Sequence, residues 1–164
     1  MLKKINWDYL VSNHRNPSQE PTTRTQFIEN KYIIFKFLLK NRFKMTNIEY
    51  IRKTIINSEK NKLNRFILTD NAFSYNLEDG IRHLLLWVNP SHKDNKILYQ
   101  NQVNLNKCDW LYNHIYNKLS QKYSLKKYEY VYFENHKNNR SIPEIKHIHI
   151  FVKLKKIFLV DQLE

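Results

Sequence analysis

The chain reads as two halves with different hydrophobic periods. In the first half apolar positions recur every three or four residues, which is helical spacing. Residues 5–14 predict a short helix with Trp7, Leu10 and Val11 on one side. A polar loop with two prolines, residues 16–21, ends it. Thr22 or Thr23 then caps a long helix reaching about residue 44, whose apolar positions Phe27, Ile34, Leu38 and Phe35, Leu39, Phe43 follow three-four spacing. Thr46-Asn47-Ile48-Glu49 spells a capping box, in which hydroxyl and carboxylate satisfy each other's orphan amides. The helix it opens runs to about residue 57, with Ile48, Ile51 and Ile55 inward. Residues 58–64 are a polar loop.

Beyond that loop the period shifts to two. Strands are predicted over 65–69, 82–88, 128–134 and 145–154, with a turn at 89–95. An amphipathic helix over 106–123, with Leu111, Ile115 and Leu119 on one stripe, separates the second and third strands. The last residues are expected to form one helical turn. The class is α+β: N-terminal helices packed on a mostly antiparallel sheet of about four strands with one crossover helix. Length supports one domain over 1–164, helical over about 1–57 and sheet over about 65–155.

Strand parity locates the candidate chemistry, because successive side chains point to opposite faces. One face of 145–154 carries Ile148, Ile150, Val152 and Leu154, and the other His147, His149, Phe151 and Lys153. In 128–134, Val131 and Phe133 oppose Tyr128, Tyr130, Tyr132 and Glu134. In 82–88, Leu84, Leu86 and Val88 oppose His83, Leu85 and Trp87. Assigning the aliphatic and Phe-bearing faces to the helices leaves one sheet surface with His83, Trp87, Tyr130, Tyr132, His147 and His149. Arg140 and Ser141 sit in the adjoining loop.

Composition narrows what that surface can do. The 164 residues are 41% hydrophobic and 14% aromatic, too apolar for a disordered chain. One cysteine, Cys108, excludes an internal disulfide framework and a multi-thiolate zinc site. One glycine, Gly80, excludes a Walker loop and a dinucleotide fingerprint. The formal charge is +13, which attracts polyanions. Lys outnumbers Arg 21 to 7, as AT-rich codons would produce, so part of that charge is compositional. The most apolar stretch is too short to span a bilayer. The first residues lack the apolar core of a secretory signal, so the expected setting is an intracellular, reducing compartment, the cytoplasm.

Aromatic rings beside basic groups suit nucleobases, each stacking contact being worth about 1–3 kcal/mol. Arg140 and the imidazoles are candidates for phosphate. The pair His147 and His149 also has metal-ligand spacing, with Glu134 or Glu129 as an oxygen donor, although no cofactor is favoured. His-hydrophobe-His after a Glu-bearing strand resembles the centre of replication-initiator nicking nucleases. Those enzymes carry a tyrosine after the histidines, and no tyrosine follows His149 here.

Five segments occur in order: Asp70-Asn71-Ala72-Phe73-Ser74-Tyr75, His83-Leu84-Leu85-Leu86-Trp87, Phe133-Glu134-Asn135, Arg140-Ser141-Ile142-Pro143 and His147-Ile148-His149-Ile150. Together they resemble the fungal N-acetylglucosamine-induced protein family, a domain of unknown function. Ala72 and Ser74 depart from that family's Asp-Phe-Pro-Tyr wording. The resemblance implies a shared pocket around His83, Trp87, Ser141, His147 and His149, and supplies no reaction.

Three readings follow. The first is a sheet face binding RNA or a nucleotide-like ligand, cap structures included, through His83, Trp87, Tyr130, Tyr132, Arg140, Ser141, His147 and His149. The second is an enzyme acting on a phosphorylated substrate or nucleic acid through histidines or a divalent metal. The third is a protein-interaction module with compositional charge.

Overall fold

The computed structural model describes residues 4–20, 22–123 and 127–155. The helical turn expected of the last residues lies outside them. The order is α1 (Trp7–Ser12), α2 (Gln26–Asn41), α3 (Asn47–Ile51), β1 (Phe66–Asp70), β2 (Ile81–Val88), α4 (Lys96–Gln100), α5 (Asp109–Lys122), β3 (Tyr128–Phe133) and β4 (His147–Leu154). The fold is α+β with a four-stranded antiparallel sheet in the order β1-β2-β4-β3.

Caps set the helix limits. Thr25, not Thr22 or Thr23, caps α2, its hydroxyl accepting from the Ile28 amide at 3.2 Å. Thr46 and Glu49 form the full capping box of α3, which continues as a π turn over Arg52–Ile56. Gly80 takes φ +84° at the turn into β2, a conformation that suits glycine. The five-residue α4 escapes the periodicity argument because it is barely one turn long.

The sheet is covered on both faces. On one, Leu84, Leu86, Val88, Ile148, Ile150 and Val152 pack against Leu111, Ile115 and Leu119 of α5. On the other, Ile67, Leu85 and Trp87 meet Ile51 of α3 and Ile56 of the π turn. Beside them, Val131, Phe133 and Phe151 pack on Leu10 of α1 and on Tyr75. The central strands β2 and β4 are accordingly buried along most of their length.

This double cover corrects two expectations. The histidine-bearing face is no open platform, since α1–α3 lie over it. The tyrosines are on the other side: Tyr130 is opposite Val152 and Tyr132 opposite Ile150, whereas Val131 and Phe133 are opposite Phe151 and His149. Apolar character alone could not orient β3, because both of its faces meet helices.

The apolar positions of α2 are unevenly buried. Of its two apolar stripes only Leu39 is buried, while Phe27, Ile34, Leu38 and Phe43 are exposed. Within the described residues no second layer covers that side. No helix among the described residues is long and apolar enough to cross a membrane.

Candidate functional site

Register places His83, Trp87, His147 and His149 on one face. Trp87 is directly opposite His147, Leu85 opposite His149, and His83 opposite Phe151. The loop between β1 and β2 folds over them. Its Tyr75 ring stacks on His149 at 5.3 Å between centroids and leans on His83 at 4.6 Å.

Asn135 Nδ2 lies 3.1 Å from His149 Nε2. The other ring nitrogen, His149 Nδ1, lies 2.9 Å from His83 Nε2, so a single proton fits between the two rings. His83 Nδ1 accepts from the Tyr75 amide at 3.4 Å and lies 3.2 Å from Ser74 Oγ. Asn71 Nδ2 lies 3.2 Å from both His83 ring nitrogens. The result is a buried neutral chain from Asn135 to Ser74. Burial, with positive charge at Arg24 and the neighbouring His147, pushes the His83 pKa down to about 3. Burial also holds His149 well below its ordinary value, with His83 and His147 adding to the effect.

His147 is arranged differently. Its Nδ1–H donates to the Ile145 carbonyl at 2.8 Å, and burial lowers its pKa. The ring is therefore neutral, with Nε2 as an acceptor. Among the described residues Nε2 has no hydrogen-bond partner, and His147 lines a cavity.

That cavity has a volume of about 130 Å³. The sheet supplies Leu85, Trp87, His147 and His149 as its floor, with Ser141 and Ile142 beside them. The helical half supplies Arg24, Tyr32, Phe35 and Tyr50, and the β1–β2 loop supplies Asn71 and Phe73. Phe35 meets Tyr50 edge-on at 5.1 Å and lies 5.2 Å from Phe73, and Tyr32 lies 4.9 Å from Phe73. Trp87 leans on His147 at 5.0 Å and is fixed by its Nε1–H donating to Thr69 Oγ1 at 2.9 Å. Arg24 is the single cation among the lining residues. Its Nε donates to the Phe73 carbonyl, and its guanidinium lies 3.3 Å from Glu29 and 4.8 Å from the Tyr32 ring centre.

The structure thus brings Trp87, Ser141, His147 and His149 to one cavity, with His83 one hydrogen bond behind. It separates the rest of the expected set. Tyr130 and Tyr132 belong to the α5 side. Arg140 donates from Nε to the Asn135 carbonyl, and its Nη1 lies 3.2 Å from the buried Glu134 carboxylate. Glu134 also accepts from the Leu105 amide and lies 3.6 Å from Lys146. Its Oε1 is buried with no hydrogen-bond partner among the described residues, and its charge acts on His147. Glu129 holds Lys155 at the sheet edge. Among the described residues no three His, Cys, Asp or Glu side chains are grouped to hold a metal.

Sequence reasoning missed the aromatic roof. Tyr32, Phe35 and Tyr50 look like ordinary residues of amphipathic helices, and Asn71 with Phe73 looks like a turn. Only the strand histidines carry a local signal; the roof exists because α2 and α3 cross above them.

A family described as a protein of unknown function, DUF3605, matches residues 3–153. The crystal structure of a protein named HTC1 has a similar fold, with a TM-score of 0.54 at 17% identity over 92% of this chain and 85% of that one. None of the curated proteins matches the chain.

Proposed function

The chain belongs to the DUF3605 family, and on that premise we propose that its cavity binds one planar ring of a nucleotide-like ligand. The observation that carries this reading is an aromatic cavity of about 130 Å³ lined by His147, a neutral imidazole whose Nε2 has no hydrogen-bond partner among the described residues. A dry cavity of roughly 150 Å³ takes a benzene-sized guest, so a single six-membered ring fits and a bicyclic purine or methylguanine cap does not. Trp87 and Phe73 offer ring faces, and His147 Nε2 accepts from a ring N–H. Arg24, the cation of the lining, is the candidate for a phosphate on the ligand. The likeness of the strand motifs to the fungal N-acetylglucosamine-induced proteins belongs to the same reading, since it names these pocket residues.

The test is calorimetric titration with uridine, cytidine, adenosine and their 5′-monophosphates. Uridine, whose N3–H supplies the donor, should bind, cytidine, which has no ring N–H, should bind more weakly, adenosine should not bind, and monophosphates should gain affinity through Arg24. His147→Phe, shown folded by circular dichroism, should lose at least tenfold. No binding by any pyrimidine would end this reading. A second reading rests on the same atom: His147 Nε2 could take a proton from a bound hydroxyl, as a general base does. Turnover of a bound monophosphate, abolished in His147→Phe, would select it.

A further inference from the structure

The outward side of α2 carries the largest anomaly of the surface. Phe27 is 65% exposed, Ile33 52%, Ile34 57%, Phe37 63% and Leu38 39%. Monomeric proteins seldom leave such a run of large apolar side chains on one element uncovered. The buried side of the helix is centred on Leu39, with the partly buried Tyr32 and Phe35. At 100° per residue the opposite side holds Asn30, Ile33, Ile34, Phe37 and Asn41. None of these is charged, and all are exposed. Lys31 and Lys40 border the strip.

Its spacing is the alternating three and four of a helix-pairing seam: Phe27, Asn30, Ile34, Phe37, Asn41. Its inner positions, from Asn30 to Asn41, are self-complementary when read antiparallel. Ile34 then meets Phe37 of a second α2 and Phe37 meets its Ile34, so both central contacts are apolar. Asn30 meets Asn41 at each end. Asn30 Oδ1 already accepts from Gln26 Nε2 at 2.9 Å, which leaves its NH₂ to donate. Asn41 Nδ2 already donates to the Phe37 carbonyl at 2.9 Å, which leaves its Oδ1 to accept. The free donor of one amide thus matches the free acceptor of the other. The lysines fall at the rim, where an interface keeps its charges.

We infer that α2 is the contact helix of a two-fold homodimer in which the α2 helices of two copies pair antiparallel through Ile34 and Phe37. An uncharged strip gives no hold to an acidic or basic partner, whereas an isologous contact asks only for self-complementarity. Because α2 also roofs the cavity with Tyr32 and Phe35, pairing would brace that roof from outside. The dimer itself does not depend on what the cavity binds.

The experiment is light scattering after size exclusion, with sedimentation equilibrium from 1 µM to 500 µM. The wild type should have twice the chain mass at the upper end. Ile34→Asp and Phe37→Asp should each be monomeric, and both should fold because each side chain is already more than half exposed. Lys36→Asp, off the strip, should remain dimeric. Direction is read by oxidation in a Cys108→Ser background. Asn30→Cys with Asn41→Cys should cross-link two chains, and Asn30→Cys alone should not. A wild type that is monomeric at 500 µM, a dimer that survives Phe37→Asp, or efficient cross-linking of Asn30→Cys alone would each overturn the proposal.

Discussion

His83 Nε2 lies 2.9 Å from His149 Nδ1, in a space closed by Tyr75 and Asn71. The two rings share one proton between them, and burial of both penalises a charge. Both pKa values are lowered, that of His83 to about 3. Unfolding releases both histidines to ordinary values near 6.5. Between those limits the unfolded chain binds more protons than the folded one, so stability rises with pH. It is fully present above about pH 6.5 and is lost as pH falls toward the folded values. Each such histidine contributes up to about 1.4 kcal/mol per pH unit within the window. His147, His14 and His114, also lowered by burial, act in the same direction. Urea unfolding at pH 7.5, 6.0 and 5.0 should show a steep fall in midpoint. A midpoint that is flat from 7.5 to 5.0 would contradict buried neutral histidines.

Arg140 looks in sequence like a phosphate ligand and behaves in the fold like a brace. The Glu134 carboxylate is buried, and Arg140 and Lys146 are the cations beside it. Removing Arg140 leaves a buried carboxylate with less compensation, a change that is strongly destabilising at fully buried pairs. Arg140 is partly exposed, so solvent screening reduces the cost to about 2 kcal/mol. Arg140→Ala should therefore lower the urea midpoint while leaving pyrimidine affinity in the folded protein within about twofold. A stable Arg140→Ala with tenfold weaker binding would return Arg140 to the ligand.

What the sequence made legible follows from how local each signal is. The capping box at Thr46 and the alternation in β2 and β4 are written in adjacent residues, and both stand in the fold. The clustering of His83, His147 and His149 follows from parity once β2 and β4 are neighbours. Parity failed for Tyr130 and Tyr132 because it says which residues share a face, never which face meets which helix. The cavity was illegible for a stronger reason. Its roof comes from Tyr32, Phe35 and Tyr50 of α2 and α3, far earlier in the chain than the histidines, and only the crossing of helices over sheet brings the two together. Phe27 and Ile34 carry helical spacing yet are exposed, because a periodic apolar stripe does not say whether its partner belongs to the same chain.

The capping box gives a test that is separate from the site. Thr46 Oγ1 accepts from the Glu49 amide at 3.2 Å, and Glu49 Oε2 accepts from the Thr46 amide at 2.7 Å. Thr46→Ala removes the first of these and should cost about 1 kcal/mol. Because α3 carries Tyr50 and Ile51 into the cavity wall, the same change should raise hydrogen exchange across Asn47–Ile51 more than across β2. Uniform exchange in both elements would mean that the box does not hold α3.

Trp87 offers the sharpest test of cavity size. Its indole is 4% exposed, leans on His147 and donates to Thr69 Oγ1. Trp87→Ala would remove so much core that folding and binding could not be separated, at a cost of about 3–5 kcal/mol. Trp87→Phe keeps a ring and loses the N–H, leaving the Thr69 hydroxyl without its donor, and should cost about 1–2 kcal/mol. It also enlarges a cavity that now holds about 130 Å³. If the cavity selects by size, the enlarged one should admit a purine that the wild type excludes. The measurement is the ratio of uridine to adenosine affinity in wild type and in Trp87→Phe, with Thr69→Val as a control. Thr69→Val also breaks the indole hydrogen bond but leaves the ring in place, so its ratio should stay near that of the wild type. A ratio that falls toward one in Trp87→Phe alone assigns selection to the indole. Equal ratios in all three proteins would show that ring size is not what this cavity reads.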